Sequence, residues 1–368
     1  MLTHTHKPAL RYDPSVEEVA DDEAETSRGL VETMAGISAT TLKDTGCPLR
    51  SVHAKSHALV EGELEVAGDL DPVLAQGLFA RPGRYPVVLR FSTIPGDMLA
   101  DSVSTPRGVA IKVIGVDGPR LPGSDGDATQ DFILVNGPAF GAPTPKAFLA
   151  NLKLLAATTD KAEGAKKALS GVTQALNGAV TAVTGKPSAM LATFGGQPET
   201  HILGDTFYSQ TPFRFGDYVA KFSLAPVSDE LKALKDKHIK INGVPDALRD
   251  ACNAFFSDTG GLWDLQVQLR RDEKTMPVED ASKAWDEAES PYQTVARLRV
   301  APQPAWTKAR SQAVDDGLSF SVWHGLAAFQ PLGGVNRTRK PAYEAGKTFR
   351  NEHGDHITEP REEVRLPG

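Results

Sequence analysis

The stretch NRTRKPAYEAGKTFR, residues 336–350, has the most informative side-chain spacing in the sequence. If this stretch is helical, Arg339 and Tyr343 are four residues apart and lie on one face. Arg350 follows Arg339 by eleven residues, about three helical turns, and so returns close to the same face. The predicted helix therefore presents a tyrosine between two guanidinium groups.

A tyrosine in that position is suited to bind a metal ion. A free phenol has a pKa of about 10 and is a poor ligand at neutral pH, whereas a guanidinium within hydrogen-bonding distance favours the phenolate. A phenolate binds ferric iron strongly, and the second guanidinium is placed to bind a cofactor carboxylate through two hydrogen bonds. An isolated pair of this kind is more often a surface pair, so other segments must support the interpretation.

The composition is that of a globular protein, and it excludes some partners. The 368 residues carry a formal net charge of −7, which argues against nucleic acid as the main partner. The first residues lack the apolar core of a signal peptide, and no apolar run is long enough to span a bilayer. The two cysteines, Cys47 and Cys252, form neither a disulfide framework nor a zinc site. We expect a cytoplasmic protein.

The middle of the chain is predicted to be rich in strands joined by turns, with a helical segment at about 145–195. The absence of long helices between most strands favours an antiparallel barrel or sandwich over a parallel sheet. Runs with strand character occur at 58–66, 85–91, 109–116, 131–135, 218–224, 262–269 and 294–300. The polar residues before about 40 predict short helices in an extended arm, and the charged tail from His353 predicts a poorly packed end.

Three further segments carry residues with chemical potential. RSVHAK, residues 50–55, places a histidine just before a predicted strand. RFST, residues 90–93, and VNGPAF, residues 135–140, each end a predicted strand. Taken singly, each has an ordinary structural explanation, such as an Asn-Gly turn at 136–137.

Together with residues 336–350, these segments resemble four motifs of the catalase superfamily in the correct order. The resemblance covers roughly residues 45–350 and implies an α+β protein with an eight-stranded antiparallel barrel holding haem b. It implies an N-terminal arm at 1–44, a barrel domain at 45–300, a wrapping segment and haem helix at 301–352, and a polar tail at 353–368.

The resemblance also implies roles for individual residues. His53 would be the distal base that takes a proton from one peroxide oxygen and returns it to the other. Asn136 would donate a hydrogen bond to the bound peroxide, and Ser92 would lie beside the histidine. Tyr343 would ligate the iron, as tyrosine does in catalase. The remaining predicted cofactor-binding residues are Arg50, Val52, Arg90, Phe140, Phe148, Arg339 and Arg350. Of these, the resemblance implies that Arg50, Arg90 and Arg350 bind the haem propionates.

The sequence departs from catalases in ways that affect the expected activity. Thr105, within STPRG at 104–108, stands where catalases have an aspartate thought to orient peroxide, which weakens the expectation of fast dismutation. The helical domain that ends catalases is not matched after Arg350. We expect a peroxidase that reduces hydrogen peroxide or organic hydroperoxides with a small organic donor. We also expect a homo-oligomer, because the polar arm can wrap a neighbouring subunit.

Two other functions remain open from the sequence. One is isomerisation of fatty-acid hydroperoxides, as in allene oxide synthase, which shares this haem site. Members of that branch look to carry threonine beside the distal histidine, where this chain has Val52. The other is a non-catalytic haem-binding protein that retains the fold.

Overall fold

The computed structural model of the protein describes residues 6–156 and 197–368. Within those residues, nine strands form one antiparallel sheet. Seven of them overlap the predicted runs, whereas the two short strands at 207–208 and 213–215 are too short to show alternation in the sequence. The strands are β1 Ser56–Val66, β2 Gly83–Thr93, β3 Arg107–Ile114, β4 Thr129–Val135, β5 Phe207–Tyr208, β6 Phe213–Phe215, β7 Tyr218–Pro226, β8 Gly261–Leu269 and β9 Gln293–Val300.

The sheet closes into a barrel of eight strands. The order around the ring is β1-β2-β3-β4-β5-β7-β8-β9, and β9 pairs again with β1. One closing seam pairs Leu64 with Leu298, and the other pairs Tyr208 with Ser223. The ninth strand, β6, pairs with β7. The predicted α+β fold with an eight-stranded antiparallel barrel is therefore confirmed.

The barrel interior is filled by apolar side chains. The ring of Phe132 lies 5.0 Å from that of Phe222, and the ring of Phe91 lies 5.8 Å from that of Phe207. An eight-stranded barrel has an interior that side chains just fill. Because side chains alternate along a strand, polar residues next to these aromatics face outward. On β2, β3 and β4 the outward set includes Arg90, Ser92, Lys112 and Asp131.

Helices cover part of this outer surface. In the described residues, three helices contact one another beside the barrel: α1 (Glu23–Thr45), α2 (Pro145–Ala156) and α6 (Gly334–Glu352). No helix there is long and apolar enough to cross a membrane. The predicted helical segment at 145–195 begins as α2, and its part beyond residue 156 lies outside the described residues. The helices are α1 Glu23–Thr45, α2 Pro145–Ala156, α3 Asp229–Lys232, α4 Ala247–Phe256, α5 Lys308–Ser311 and α6 Gly334–Glu352.

The prediction of short helices near the N-terminus was wrong, because α1 is one helix of 23 residues. Its sequence contains two glycines, which lower helix propensity. Tertiary packing outweighs that cost: Leu30 and Ile37 are buried in a cluster with Leu152 of α2. The helix ends at Thr45, and the next residue has a φ of +71°, which Gly46 adopts without strain.

The prediction of a poorly packed C-terminal tail holds only in part: most residues of 353–368 are exposed, but several pack on the barrel. Leu366 is buried, and its backbone N–H donates to the Glu61 carboxylate at 2.6 Å. The tail carboxylate of Glu359 lies 2.5 Å from Nζ of Lys112, which is fully buried on β3. A buried ammonium needs an anionic partner, and the tail supplies one. The charges that suggested a solvated tail are therefore partly used to pair charges on the barrel.

Arg337, near the start of α6, joins three distant parts of the chain. Its guanidinium lies 2.7 Å from Glu17, 2.8 Å from Glu23 and 2.9 Å from Glu279. Burial alone would lower the pKa of Arg337, but its hydrogen bonds to these carboxylates raise it. Glu17 and Glu279 also accept hydrogen bonds from the N–H groups of Gly333 and Gly334. The N-terminal arm, α1 and the chain around Glu279 are thereby fixed to the start of α6.

Replacing this guanidinium should destabilise the protein strongly. An Arg337→Met variant leaves three largely buried carboxylates without their cation, and we expect the free energy of unfolding to fall by about 3 kcal/mol. Urea unfolding of the purified protein measures this change. Arg84 is the matched control, because its side chain is 65% exposed beside Glu63 and Glu65, and Arg84→Met should cost less than about 1 kcal/mol. Equal stability of the two variants would contradict the assignment.

Candidate functional site

Three neighbouring strands bring the first candidate residues together. Ser92 on β2 pairs with Gly108 on β3, which pairs with Val135 on β4. The loop before β1 places His53 over this row, with Nδ1 3.0 Å from Oγ of Ser92. A Cβ built on Gly108 would lie 2.6 Å from Cε1 of His53. The imidazole can therefore lie this close to β3 because residue 108 has no side chain.

The backbone of His53 adopts a conformation that is uncommon for a non-glycine residue. Its φ is +56°, in the left-handed region. Two hydrogen bonds hold it there: its N–H donates to the carbonyl of Ile94 at 2.6 Å, and its carbonyl accepts from Nη2 of Arg90 at 2.7 Å. Conformations of this kind persist when the surroundings fix them, and they cluster at functional sites.

The surroundings of His53 keep its imidazole neutral. Burial lowers the pKa of His53 to about 3, and the charges of Arg90, Arg339 and Arg50 act in the same direction. A neutral imidazole has one nitrogen with a free lone pair. When Nδ1 carries the hydrogen and donates it to Ser92, Nε2 is the basic nitrogen. The side chain is thus available as a base throughout the neutral pH range.

The three arginines predicted to bind cofactor carboxylates converge in the structure. They surround residues 314–318, and in particular Asp315. Nε of Arg90 donates to Oδ1 of Asp315 at 2.6 Å. Nη1 of Arg50 donates to the backbone carbonyl of Asp315 at 2.8 Å, and Nη2 of Arg350 donates to the same carbonyl. Asp315 was not predicted, because no spacing or motif in SQAVDDG, residues 311–317, distinguishes it from a surface aspartate.

A small cavity of about 60 Å³ lies beside this arginine cluster. Its lining includes Arg50, Arg350 and a further arginine, Arg249, together with the carboxylates of Asp315 and Asp316. Guanidinium groups bind carboxylates through paired hydrogen bonds. The cluster therefore contains groups of the kind that bind carboxylates, and in this structure several of their N–H groups bind Asp315 and backbone carbonyls.

Asn136 follows β4, close to the row that carries His53. Its Oδ1 accepts from the backbone N–H of Arg107 at 2.9 Å, and its Nδ2 donates to Asp205 at 2.9 Å. An amide nitrogen has two hydrogens, and Asp205 accepts one of them. The predicted hydrogen bond from Asn136 to a peroxide stays a prediction.

The predicted aromatic residues lie together beside α1. The rings of Phe140 and Phe148 are 4.9 Å apart, and Phe148 packs against the cluster formed by Leu30, Ile37 and Leu152. Val52 is half-buried next to His53. Helix α1 extends towards this region, since Ile37 also lies against Gly96. Whether these side chains contact a cofactor stays a prediction.

Residues 336–350 are helical, as predicted, and form most of α6. Tyr343 is half-buried and packs at the edge of the main hydrophobic cluster. Nη1 of Arg339 donates to Oδ1 of Asn336 at 3.2 Å, and among the described residues no side-chain hydrogen bond joins Arg339 to Tyr343. The charge of Arg339 is nevertheless one of those that lower the pKa of His53.

The described residues include side chains of the kinds that a haem requires. Among them, no group of three or more His, Cys, Asp or Glu side chains is arranged to hold a metal ion. A haem brings its own four nitrogen ligands and needs from the protein an axial ligand and partners for its carboxylates. Tyr343 on α6 and the three convergent arginines match those two needs.

The depressed pKa of His53 makes a testable contribution to stability. Between about pH 3 and pH 6.5, the unfolded chain binds a proton at residue 53 that the folded protein does not, so stability falls as the pH falls. As the pH falls through this range, the free energy of unfolding of the His53→Gln variant should decrease by about 1 kcal/mol less per pH unit than that of the unaltered protein. Urea unfolding of both haem-free proteins from pH 5 to pH 9 measures the difference. Above pH 8 the two profiles should run parallel; parallel profiles at every pH would refute a neutral His53.

Comparisons with known proteins agree with the fold. No protein-family model matches the sequence, and no curated protein matches it. Solved structures of catalases do match. A fungal catalase aligns over 85% of this chain and 61% of its own, with a TM-score of 0.59 and 18% identity. Catalase A from Saccharomyces cerevisiae aligns over 85% of this chain and 63% of its own, with a TM-score of 0.57 and 16% identity.

A bacterial catalase aligns over 93% of this chain and 63% of its own, with a TM-score of 0.53 and 16% identity. The chain therefore spans somewhat over three-fifths of the length of the catalases that it matches. The structural alignments establish the fold. Because the identities are this low, the activity must be argued from the residues of this chain. By its fold, this chain is a catalase-like protein.

Proposed function

We propose that this protein is a haem b-dependent peroxidase, related to catalases, that reduces hydrogen peroxide or organic hydroperoxides. The observation that carries the proposal is the position of His53. The neutral imidazole of His53 lies over the outer face of the barrel and is hydrogen-bonded to Ser92. The backbone carbonyl of His53 accepts a hydrogen bond from Arg90 of the arginine cluster. That arrangement combines a base with partners for cofactor carboxylates in one site.

The residues of the chain have separate tasks in this proposal. Tyr343 ligates the iron, and Arg50, Arg90 and Arg350 bind the haem propionates. A haem held by these residues would supply the electrons for cleavage of the peroxide O–O bond. The protein contributes proton transfer: Nε2 of His53 takes the proton from one peroxide oxygen and delivers it to the leaving oxygen, which departs as water or an alcohol.

Other groups assist that proton transfer. Ser92 holds the imidazole through Nδ1, so that its orientation is set before the substrate arrives. The carboxamide of Asn136 is proposed to donate a hydrogen bond to the peroxide, which polarises it without any titrating group. Val52, Phe140, Phe148 and Arg339 are proposed to contact the haem.

The proposal includes a small organic electron donor, a homo-oligomeric assembly and a cytoplasmic location. Support for a reducing compartment comes from the two cysteines, which are both free, Cys47 exposed and Cys252 buried. The N-terminal arm packs on its own chain through Glu17 and Arg337, so an arm reaching a neighbouring subunit is not needed to satisfy its charges.

The first test is the absorption spectrum of the purified protein supplied with haemin. We expect a Soret band typical of ferric haem, and a Tyr343→Phe variant should lose the band or shift it, because the phenolate ligand is removed. Tyr85→Phe is the control, since Tyr85 is half-buried on β2, and its spectrum should match that of the unaltered protein. A Tyr343→Phe protein with the unaltered spectrum would refute the ligand assignment.

The second test is the rate of reaction with peroxide. Stopped-flow mixing of the haem-loaded protein with hydrogen peroxide or an alkyl hydroperoxide should show a spectral change, and His53→Gln should slow it about 100-fold or more. Haem binding without consumption of any peroxide, with any donor, would replace the proposal by a non-catalytic haem protein. Conversion of a fatty-acid hydroperoxide to an allene oxide without use of a donor would replace it by an isomerase.

A further inference from the structure

Asp315 lies at the centre of the contacts that hold the arginine cluster. Its Oδ1 accepts from Nε of Arg90 at 2.6 Å. Its Oδ2 accepts from Oγ of Ser56 at 2.7 Å and from Oγ of Ser311 at 2.8 Å. The carboxylate is therefore bonded on both oxygens, and the hydroxyl of Ser56 is itself fixed by Nε1 of Trp306 at 2.9 Å.

The backbone at residue 315 is used in the same way as the side chain. Its carbonyl accepts from both Arg50 and Arg350. Nη2 of Arg50 also donates to the carbonyl of Leu318 at 2.9 Å. Three like charges are thus brought close together around one segment, and such an assembly requires a compensating anion. Burial alone would raise the pKa of Asp315, but the charges of Arg90 and Arg50 hold it below its usual range, so the anion is present at neutral pH.

One of the three arginines connects this segment to the distal histidine. Arg90 donates Nε to Asp315 and Nη2 to the carbonyls of His53 at 2.7 Å and Ala54 at 3.0 Å. A guanidinium is planar, so fixing Nε in one hydrogen bond also fixes the direction of Nη2. The carbonyl that Arg90 binds belongs to the residue with a φ of +56°. The contact with Asp315 therefore acts on the backbone that orients the imidazole.

We propose that Asp315 is a positioning residue that aligns Arg90, and through Arg90 the imidazole of His53, while keeping the three arginines convergent for the carboxylates of a cofactor. This role rests on the proposed function for its cofactor half, but the coupling from Asp315 to His53 is a property of the chain without any ligand. Loss of the charge at 315 frees Nε of Arg90, loosens its hold on the His53 carbonyl, and allows the imidazole to leave Ser92.

The coupling is tested without haem by NMR of protein labelled with ¹⁵N in its histidines. His53→Gln identifies the ring signals of His53. In Asp315→Asn, which keeps the size of the side chain, those signals should shift or broaden. Asp316→Asn is the matched control, because Asp316 lines the same cavity and makes no ion pair within 4.0 Å with the three arginines among the described residues. Signals of His53 that are unchanged in Asp315→Asn, or equally changed in Asp316→Asn, would overturn the proposal.

A second variant covers the case in which Asp315→Asn does not fold. Arg90→Lys retains the charge but cannot bind Asp315 and two backbone carbonyls in one fixed plane. It should therefore produce the same kind of change in the His53 signals. Unchanged His53 signals in Arg90→Lys would also overturn the coupling.

The cofactor half is tested with haem-loaded protein. In Asp315→Asn the rate constant for reaction with hydrogen peroxide should fall at least tenfold, with KM for the organic donor unchanged, whereas Asp316→Asn should stay within twofold of the unaltered protein. A rate constant within twofold for Asp315→Asn would overturn this half. If the unaltered protein bound no haem, the proposed function and this half would both be refuted, and the NMR result would still decide the coupling.

Discussion

The filled barrel interior is the constraint on which the rest of this structure depends. Aromatic side chains such as Phe91 and Phe132 occupy the space inside the ring, so alternation sends Arg90, Ser92, Lys112 and Asp131 to the outside. That outer face carries charges and hydroxyls that are nevertheless buried. It must therefore be covered, and residues 306–320, the tail and the helices are the parts that cover it.

Charge pairing decides how those parts are fixed. Arg337 joins the arm and α1 to α6. Glu359 joins the tail to Lys112 on β3. Asp315 joins residues 306–320 to Arg90 on β2. Each cluster combines opposite charges, and breaking a buried pair leaves a charge that water cannot solvate. The same physical requirement thus builds the wrapping of the barrel and the candidate site, since the Asp315 cluster belongs to both.

The relation to catalases is one of architecture. The alignments reach 85–93% of this chain at 16–18% identity, which is enough to establish the barrel and too little to transfer an activity. The proposal of peroxide chemistry rests on side chains: a half-buried, neutral histidine whose backbone is fixed by Arg90 and Ile94, and three arginines around one segment. Thr105 stands where the resemblance to catalases leads us to expect an aspartate.

The sequence by itself determined the seven longer strands, the helical stretch at 336–350 and the candidate residues, because hydrophobic alternation and short motifs are local signals. It did not reveal β5 and β6, the continuous helix α1, the packed part of the tail or Asp315. These depend on partners far away in the chain: Glu359 pairs with a lysine 247 residues distant, and Asp315 with an arginine 225 residues distant. Tertiary structure alone decided them, because a charge becomes part of a site when folding buries it beside its counterion.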